Sequence, residues 1–155
     1  ADAINILSTH RNWLNRLPKR CILTPHLGEL ERLIGKCMDT YERLTKVKEL
    51  AAYLQSYIIV KGAWTCIVTP EGNYYFNPTG NPGMATGGSG DVLTGILLGL
   101  LAQGYEREDA CRLGVYVHGL AGNLAAEEKT EIGMTANDII EALPKAWKTL
   151  TTKNS

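Results

Sequence analysis

The residues of this chain best suited to chemistry lie in a glycine-rich stretch, residues 81–95, with the sequence NPGMATGGSGDVLTG. Gly87, Gly88 and Gly90 carry no Cβ, so the backbone there can adopt positive φ angles and come close to a ligand. An apolar helical pattern follows, and the first turn of a helix offers unpaired N–H groups and the positive end of the helix dipole. This combination predicts an anion site, above all for phosphate.

Asp91 stands at the junction between the glycine stretch and the predicted helix. A carboxylate beside bound phosphates repels them, so its presence indicates a second task, such as taking the proton from an attacking hydroxyl group. The alternative is that Asp91 only caps the helix, an interaction that contributes about 0.5–2 kcal/mol. The glycines crowded into residues 87–95 favour the catalytic interpretation, because each costs conformational entropy and a simple cap requires none of them.

Length and composition narrow the class of protein. The chain has 155 residues, is 45% hydrophobic and carries no formal net charge, values typical of one globular domain or a piece of one. Basic and acidic residues are mixed along the sequence, which argues against a nucleic-acid partner. We see neither a membrane-spanning run nor a leader pattern, and therefore expect a soluble, cytoplasmic protein. The wide spacing of the four cysteines predicts reduced, mostly buried thiols rather than a metal site.

Alternating helical and strand patterns predict the elements that position these residues. Helical periodicity predicts helices at residues 4–15, 28–34, 40–55, 92–102, 107–127 and from 135 onwards. Short β-rich runs predict strands at residues 21–24, 57–60, 65–69 and 73–76. The run at 57–60 is continuously apolar, which predicts a buried strand, and residues 70–72 (PEG) predict a hairpin connection between the last two strands. We expect the helix at 92–102 to be buried on nearly all sides and the last helix to break or kink at Pro144. The order of elements indicates a single α/β domain with a layered architecture.

Two further segments follow predicted strands, at the edge where open α/β sheets usually bind ligands. In residues 24–29 (TPHLGE), His26 and Glu29 supply an imidazole and a carboxylate. They either contact a substrate or cap the helix that follows, and the sequence leaves both interpretations open. In residues 61–65 (KGAWT), Lys61 either reaches nucleotide phosphates or is simply solvated.

Five segments of the chain together resemble the ADP- or ATP-dependent NAD(P)H-hydrate dehydratases of the ribokinase-like superfamily. They are TPHLGE, VKGAWT, NPGMATGGSGDVLTGILLGLLAQG, VYVHGLAG and MTANDII. The resemblance covers nearly the whole chain and implies a layered α/β fold with a central, mostly parallel sheet flanked by helices. The opening ADAIN resembles the family's aspartate-rich segment without its first residue, which implies that an N-terminal part of the domain is absent.

The resemblance also implies a reaction and a set of site residues. A nucleotide phosphorylates the hydroxyl group of the S epimer of hydrated NADH or NADPH, and loss of phosphate regenerates the reduced dinucleotide. Asp91 is implied as the base that activates this hydroxyl. The implied substrate-binding residues are Asn5, His26, Glu29 and Asp91, and the implied nucleotide-binding residues are Lys61, Gly62, Ala63, Trp64, Thr65, Gly87, Gly88, Ser89 and Gly90.

Cofactors and partners follow from the same resemblance. Magnesium is implied, held largely by phosphate oxygens and water rather than by a protein cage, with ADP or ATP as co-substrate. A homo-oligomer, with a tetramer as the expected state, and an upstream epimerase domain in the complete protein are also implied. Two other functions stay open: a ribokinase-like kinase for another small molecule, and a non-catalytic nucleotide-binding module, against which the charge of Asp91 counts. We expect His118 to be a packed or hydrogen-bonded helix residue rather than a catalyst.

Overall fold

The computed structural model describes residues 2–62 and 64–151. The chain forms two compact units, divided between Phe76 and Asn77. Each unit has a hydrophobic core of its own, so each is described by itself. Within the described ranges, no helix is both long enough and apolar enough to cross a membrane.

The first unit combines helices with a small sheet. Its elements are α1 (Asp2–Thr9), a 3₁₀ helix (Arg11–Arg16), β1 (Ile22–Leu23), α2 (Leu27–Ile34), α3 (Thr40–Leu54), β2 (Tyr57–Val60), β3 (Cys66–Val68) and β4 (Tyr74–Phe76). These agree with the predicted elements except at residues 4–15, which do not form one helix. The backbone of His10 leaves the helical region, at φ −117° and ψ 63°, and separates α1 from the 3₁₀ helix.

The four strands of this unit form one sheet in the order β1-β2-β3-β4. β1 and β2 are parallel, whereas β2 with β3 and β3 with β4 are antiparallel. The expectation of a mostly parallel sheet is therefore wrong for the described residues. The reason lies in the connections, because residues 61–65 and 69–73 are long enough for hairpins but too short for the crossover that a parallel pair requires.

The core of the first unit is built around β2, which is buried along its whole length. The cluster that joins the sheet to α2 and α3 consists of Leu30, Val47, Ala51, Ile58, Val60, Cys66 and Val68. A second cluster joins α1 and the 3₁₀ helix to α2 and α3 through Ile4, Leu14, Leu33 and Leu54. The continuous apolar run of β2 predicted this burial, and the packed core fixes the end of the strand, where residues 61–65 begin.

The second unit is helical. Its elements are a short 3₁₀ helix (Pro82–Met84), α4 (Ser89–Ala102), α5 (Arg107–Lys129) and α6 (Ala136–Thr151). α5 packs against both α4 and α6, and the core between α5 and α6 contains Val117, Ala121, Ala125, Met134, Ile139 and Ala146. α6 begins with a capping box, since the Thr135 amide donates to Asp138 Oδ2 (2.7 Å) and the Asp138 amide to Thr135 Oγ1 (3.5 Å).

The predicted burial of α4 on nearly all sides is wrong. The helix buries one face, formed by Ser89, Leu93, Leu97 and Leu100. The opposite side is open, and Leu98 there is 67% exposed. An apolar sequence alone does not determine burial, since apolar atoms contribute much of any protein surface.

The predicted break at Pro144 is also not found, because α6 continues through this residue to Thr151. Proline removes one backbone hydrogen bond from a helix interior. Ile139 and Ala146, on either side of Pro144, are both fully buried in the core against α5. Packing of both halves on the same neighbour therefore keeps the helix continuous.

Candidate functional site

The glycine stretch forms a turn that leads directly into α4. Gly88 precedes the helix with φ 88° and ψ −16°, a left-handed conformation that glycine adopts without strain. α4 begins at Ser89, earlier than its apolar pattern predicts, so Gly90 and Asp91 belong to its first turn. The junction is therefore regular backbone at the positive end of a helix of 14 residues.

Three backbone amides at this junction have no partner within the described residues. Asp91 N–H is paired, with Gly88 O at 3.0 Å. The N–H groups of Gly87, Gly88 and Gly90 meet no acceptor in the part of the chain that the structure describes, and no side chain caps the helix. A Cβ on Gly87 would touch no atom within 4 Å, so the space beside this backbone is open. Free amides at a helix N-terminus with room in front of them favour an anion.

Ser89, in contrast, has its polar groups engaged inside the unit. Ser89 is only 6% exposed. Its Oγ lies 3.3 Å from Nε2 of His118 on α5, and its backbone N–H donates to Thr86 O at 3.3 Å. The structure thus shows Ser89 as a support of the junction, and its contact with the nucleotide stays a prediction. The expected hydrogen-bonding role of His118 is confirmed by the same contact.

Asp91 is exposed at the end of the glycine turn. The capping alternative is wrong, because Gly88 holds the cap position and no side chain caps α4. Within the described residues the Asp91 carboxylate has neither a hydrogen bond nor an ion pair, so it is available to a ligand.

A groove of about 690 Å³ runs from Asp91 along the open side of α4. Its lining from α4 includes Val92, Gly95, Ile96 and Gly99, and its lining from α6 includes Ile140, Leu143 and Trp147. The sequence does not predict this groove, because the apolar pattern of α4 indicates a helix buried on nearly all sides. The available signal was the four-residue spacing of Asp91, Gly95 and Gly99, which places them on one helix face.

In the first unit, the ends of the two parallel strands come together. Lys61 N–H donates to Pro25 O at 3.2 Å, which joins the residue after β2 to the turn after β1. Lys61 and His26 therefore lie at the same edge of the sheet. The side chain of His26 is 58% exposed there.

His26 caps α2 through one of its two ring nitrogens. Nδ1 accepts hydrogen bonds from the N–H groups of Gly28 (3.1 Å) and Glu29 (3.3 Å), and Glu29 Oε2 accepts from the His26 N–H (3.0 Å). This is a capping box with histidine where serine or threonine is usual. Since Nδ1 is an acceptor, the proton of the neutral ring is on Nε2. Nε2 lies 3.6 Å from Glu29 Oε1, which is beyond hydrogen-bond distance. It can therefore still donate to a ligand, and the capping and ligand-binding interpretations are compatible.

Glu29 is the buried half of this capping box, with 2% exposure. Burial by itself raises the pKa of Glu29, but hydrogen bonds to the carboxylate, including the one from the His26 amide, lower the pKa below its ordinary value. Its carboxylate is therefore a charged group whose partners lie in the protein. The structure shows Glu29 in support of His26, and its direct contact with the substrate stays a prediction.

The other predicted residues that the structure describes in this unit are exposed or half-buried. Asn5 on α1 accepts a hydrogen bond at Oδ1 from Arg32 of α2 (2.5 Å). Gly62 is exposed and Thr65 half-buried. Trp64 is 71% exposed, so its ring is not in the core. Ala63 lies outside the described residues.

The site residues thus form two sets, one in each unit. Asn5, His26, Glu29 and residues 61–65 belong to the first unit, and Gly87 to Asp91 belong to the second. In residues 2–62 and 64–151, no three His, Cys, Asp or Glu side chains form a group that could hold a metal ion.

Solved structures define the class of protein. A ribokinase-like superfamily protein from Enterococcus faecalis superposes with a TM-score of 0.79 at 34% identity, over 96% of this chain and 51% of that one. An ADP/ATP-dependent NAD(P)H-hydrate dehydratase from Bacillus subtilis, co-crystallised with ATP and Mg²⁺, superposes with a TM-score of 0.77 at 38% identity, over 86% of this chain and 50% of that one. The fold is therefore the ribokinase-like α/β fold, as the sequence predicted.

Sequence comparison defines the family within that class. The family model described as NAD(P)H-hydrate dehydratase matches residues 1–145. A bifunctional NAD(P)H-hydrate repair enzyme from Thermofilum pendens is 49% identical over 151 residues, 96% of this chain and 29% of that protein. An ADP-dependent (S)-NAD(P)H-hydrate dehydratase from Bacillus subtilis is 40% identical over 153 residues, 96% of this chain and 55% of that protein. The chain belongs to the NAD(P)H-hydrate dehydratase family, and it spans about half the length of these relatives or less.

Proposed function

We propose that this chain is part of a nucleotide-dependent dehydratase that restores NADH and NADPH from the S epimers of their hydrates. The observation that supports this most directly is the start of α4. There, the amides of Gly87, Gly88 and Gly90 lack acceptors within the described residues, and the carboxylate of Asp91 follows them with no partner of its own. The names of the relatives at 49% and 40% identity support the same activity.

The glycine turn is proposed to hold the phosphates of ADP or ATP. Unpaired N–H groups and the helix dipole stabilise negative charge, and they stabilise it most where it grows during transfer of the terminal phosphoryl group. The open space beside Gly87 allows phosphate oxygens to approach the backbone closely. This set of donors is preorganised, because Gly88 already has the left-handed conformation that the turn requires.

Asp91 is proposed as the general base. It accepts the proton of the substrate hydroxyl while the hydroxyl oxygen forms a bond to the terminal phosphorus and the bond from phosphorus to the leaving nucleotide breaks. The carbon–oxygen bond then breaks with its electron pair leaving on phosphate, and loss of a proton from the neighbouring ring carbon restores the double bond of the dihydronicotinamide. The Asp91 carboxylate is exposed and has no partner within the described residues, which suits the first of these steps.

Magnesium fits the residues present, provided that nucleotide oxygens supply most of its ligands. The described residues offer no three-ligand group for a metal, and Mg²⁺ commonly keeps several waters and binds through phosphates with few protein carboxylates. Phosphates held at residues 87–90 would hold the ion. When bound, it neutralises phosphate charge during phosphoryl transfer.

The first unit is proposed to contact the dinucleotide and the adenine nucleotide. His26 is proposed to donate from Nε2 to the hydrated dinucleotide, supported by Glu29, with Asn5 on α1 as a further contact. The proposed nucleotide contacts are Lys61, Gly62, Ala63, Trp64 and Thr65. The exposed ring of Trp64 and the placement of Lys61 at the same sheet edge as His26 support these assignments.

We further propose that residues 1–155 belong to a single dehydratase domain, because the family model extends across both units. A homo-oligomer, with a tetramer as the expected state, and an upstream epimerase domain in the complete protein are proposed from the family, in which relatives carry the name bifunctional. A cytoplasmic location is proposed because all four cysteines are free thiols. Light scattering of the complete protein tests the oligomer.

Product fate tests the proposed activity against that of a small-molecule kinase with the same fold. The complete protein is incubated with hydrated NADPH, Mg²⁺ and either ADP or ATP, and phosphorus NMR follows the reaction. A dehydratase releases one inorganic phosphate for each dihydronicotinamide restored. Accumulation of a phosphorylated dinucleotide, or no turnover by a protein that binds the nucleotide, would contradict the proposal.

A further inference from the structure

His118, in the middle of α5, lies against the first residue of α4. Its Nε2 is 3.0 Å from the backbone oxygen of Ser89 and 3.3 Å from Ser89 Oγ. A carbonyl oxygen only accepts hydrogen bonds. Nε2 of His118 therefore carries a proton and donates a hydrogen bond to the backbone oxygen of Ser89. Both residues are at least nine-tenths buried, with exposures of 9% and 6%. Water is therefore poorly placed to replace this donor.

The bonded carbonyl belongs to the same peptide group as the N–H of Gly90. A trans peptide group is planar, and its C=O and N–H point in opposite directions; the described residues contain no cis peptide bond. Holding the Ser89 oxygen therefore also sets the direction of the Gly90 N–H. A hydrogen bond at the carbonyl also polarises the amide of that peptide group, which strengthens it as a donor to a phosphate.

α5 holds the residues before the glycine turn in a similar way. Thr79 Oγ1 donates to Tyr116 O at 2.9 Å, and Asn81 Nδ2 donates to Asn123 Oδ1 at 3.1 Å. A Cβ on Gly119 would collide with Thr79, so this glycine allows the loop to lie directly on the helix. His118 is thus one of a series of α5 contacts that fix residues 77–89, and a shift of the loop cannot easily compensate for its loss.

We propose that His118 is a positioning residue that aims the Gly90 amide at the phosphates of the nucleotide without touching the substrate. The identity of that ligand rests on the proposed function. Because an amide that faces the transferred phosphoryl group acts mainly in the transition state, its misalignment lowers kcat more than it changes KM for the hydrated dinucleotide.

Two amide variants of the complete protein test this inference. His118→Gln places an amide nitrogen near the position of Nε2 and can restore the bond to Ser89, whereas the shorter side chain of His118→Asn cannot reach it. We expect His118→Gln to keep kcat within about threefold of wild type and His118→Asn to lose about tenfold to hundredfold, with KM for the hydrated dinucleotide unchanged in both. ADP and ATP affinities, measured by calorimetry, should follow the same order, and thermal unfolding checks the fold.

The two readouts separate the possible failures. Equal kcat values and equal nucleotide affinities for the Gln and Asn variants would overturn the inference, since a residue needed only for packing makes no such distinction. If wild type binds nucleotide but does not restore the dinucleotide, the proposed function fails, and the difference in nucleotide affinity between the variants still decides the role of His118. If wild type binds neither ADP nor ATP, both proposals fail.

Discussion

Among single residues, the carboxylate of Asp91 matters most to the proposed reaction. Asp91→Asn keeps the side-chain volume but removes the base and its negative charge. We expect ADP and ATP affinity to be unchanged or slightly higher, because repulsion of the phosphates is reduced, and turnover to fall by about 10²–10⁴-fold. Calorimetry and steady-state kinetics measure the two effects. Wild-type turnover in this variant would remove Asp91 from the role of base.

Substitutions at two neighbouring glycines distinguish an effect on ligand binding from an effect of backbone strain. A Cβ at Gly87 would meet nothing within 4 Å, and its φ is not positive, whereas Gly88 has a φ of 88°. Gly87→Ala should therefore leave the free energy of unfolding nearly unchanged but weaken ADP binding by about tenfold or more, because the methyl group occupies the space of the phosphates. Gly88→Ala should lower the free energy of unfolding by about 1–2 kcal/mol. Unimpaired ADP binding by Gly87→Ala would argue against phosphates at this turn.

The sequence indicates a chemistry for these residues, but it does not report most of their contacts. The glycine spacing and Asp91 indicated a phosphate site because backbone conformation and charge are local properties. The engagement of Ser89 with His118 is not local, since it depends on how α4 packs against α5. The dual role of His26 stayed open because the spacing of TPHLGE suits both a cap and a ligand contact.

At the scale of elements, the cap of α2 allows capping and substrate binding by His26 to be measured separately. Asn is a good N-cap residue, so His26→Asn should keep the helix capped while losing the Nε2 donor. We expect His26→Ala to lower the free energy of unfolding by about 1 kcal/mol and His26→Asn to change it by only a few tenths. Both variants should raise KM for the hydrated dinucleotide by about tenfold. A wild-type KM in the Asn variant would show that His26 only caps.

The locations of strands and helices were largely predictable from the sequence, whereas the burial of α4 and the continuity of α6 were not. The apolar run at residues 57–60 and the turn residues at 70–72 predicted β2 and the hairpin of β3 and β4, and the structure has both. The short loops on either side of β3 indicate antiparallel pairing. The prediction of a mostly parallel sheet followed the family resemblance instead of these loop lengths. The exposed side of α4 and the continuity of α6 through Pro144 depend on tertiary packing, which periodicity does not report.

For the whole molecule, the reactivity of the four cysteines tests whether the cores of both units are packed as described. Cys66 and Cys111 are buried and Cys21 and Cys37 are partly exposed. Burial raises the pKa of Cys66 to about 11 and that of Cys111 to about 12, far above the ordinary thiol value of about 8.5. At mildly alkaline pH we therefore expect a thiol reagent to label Cys21 and Cys37 rapidly and the other two only after unfolding. Mass spectrometry of timed samples measures this, and rapid labelling of Cys66 or Cys111 in the native protein would contradict the described cores.

The same pKa shifts have a defined effect on stability. A thiol whose pKa is raised in the folded state stabilises the fold fully below the unfolded pKa of about 8.5, and this contribution is lost as pH rises towards the folded value. We therefore expect the free energy of unfolding to decline above about pH 8.5. The loss should be smaller in the Cys66→Ala and Cys111→Ala variants.

The most direct test of the central claim is restoration of the dihydronicotinamide chromophore. The complete protein is added to hydrated NADPH with Mg²⁺ and ADP or ATP, and the near-ultraviolet absorbance of the product is followed for wild type and Asp91→Asn. We expect recovery of absorbance with wild type and at least one of the two nucleotides, and recovery slowed by about 10²–10⁴-fold with the variant. No recovery with either nucleotide, in a wild-type protein shown to bind them, would contradict the assignment as a dehydratase.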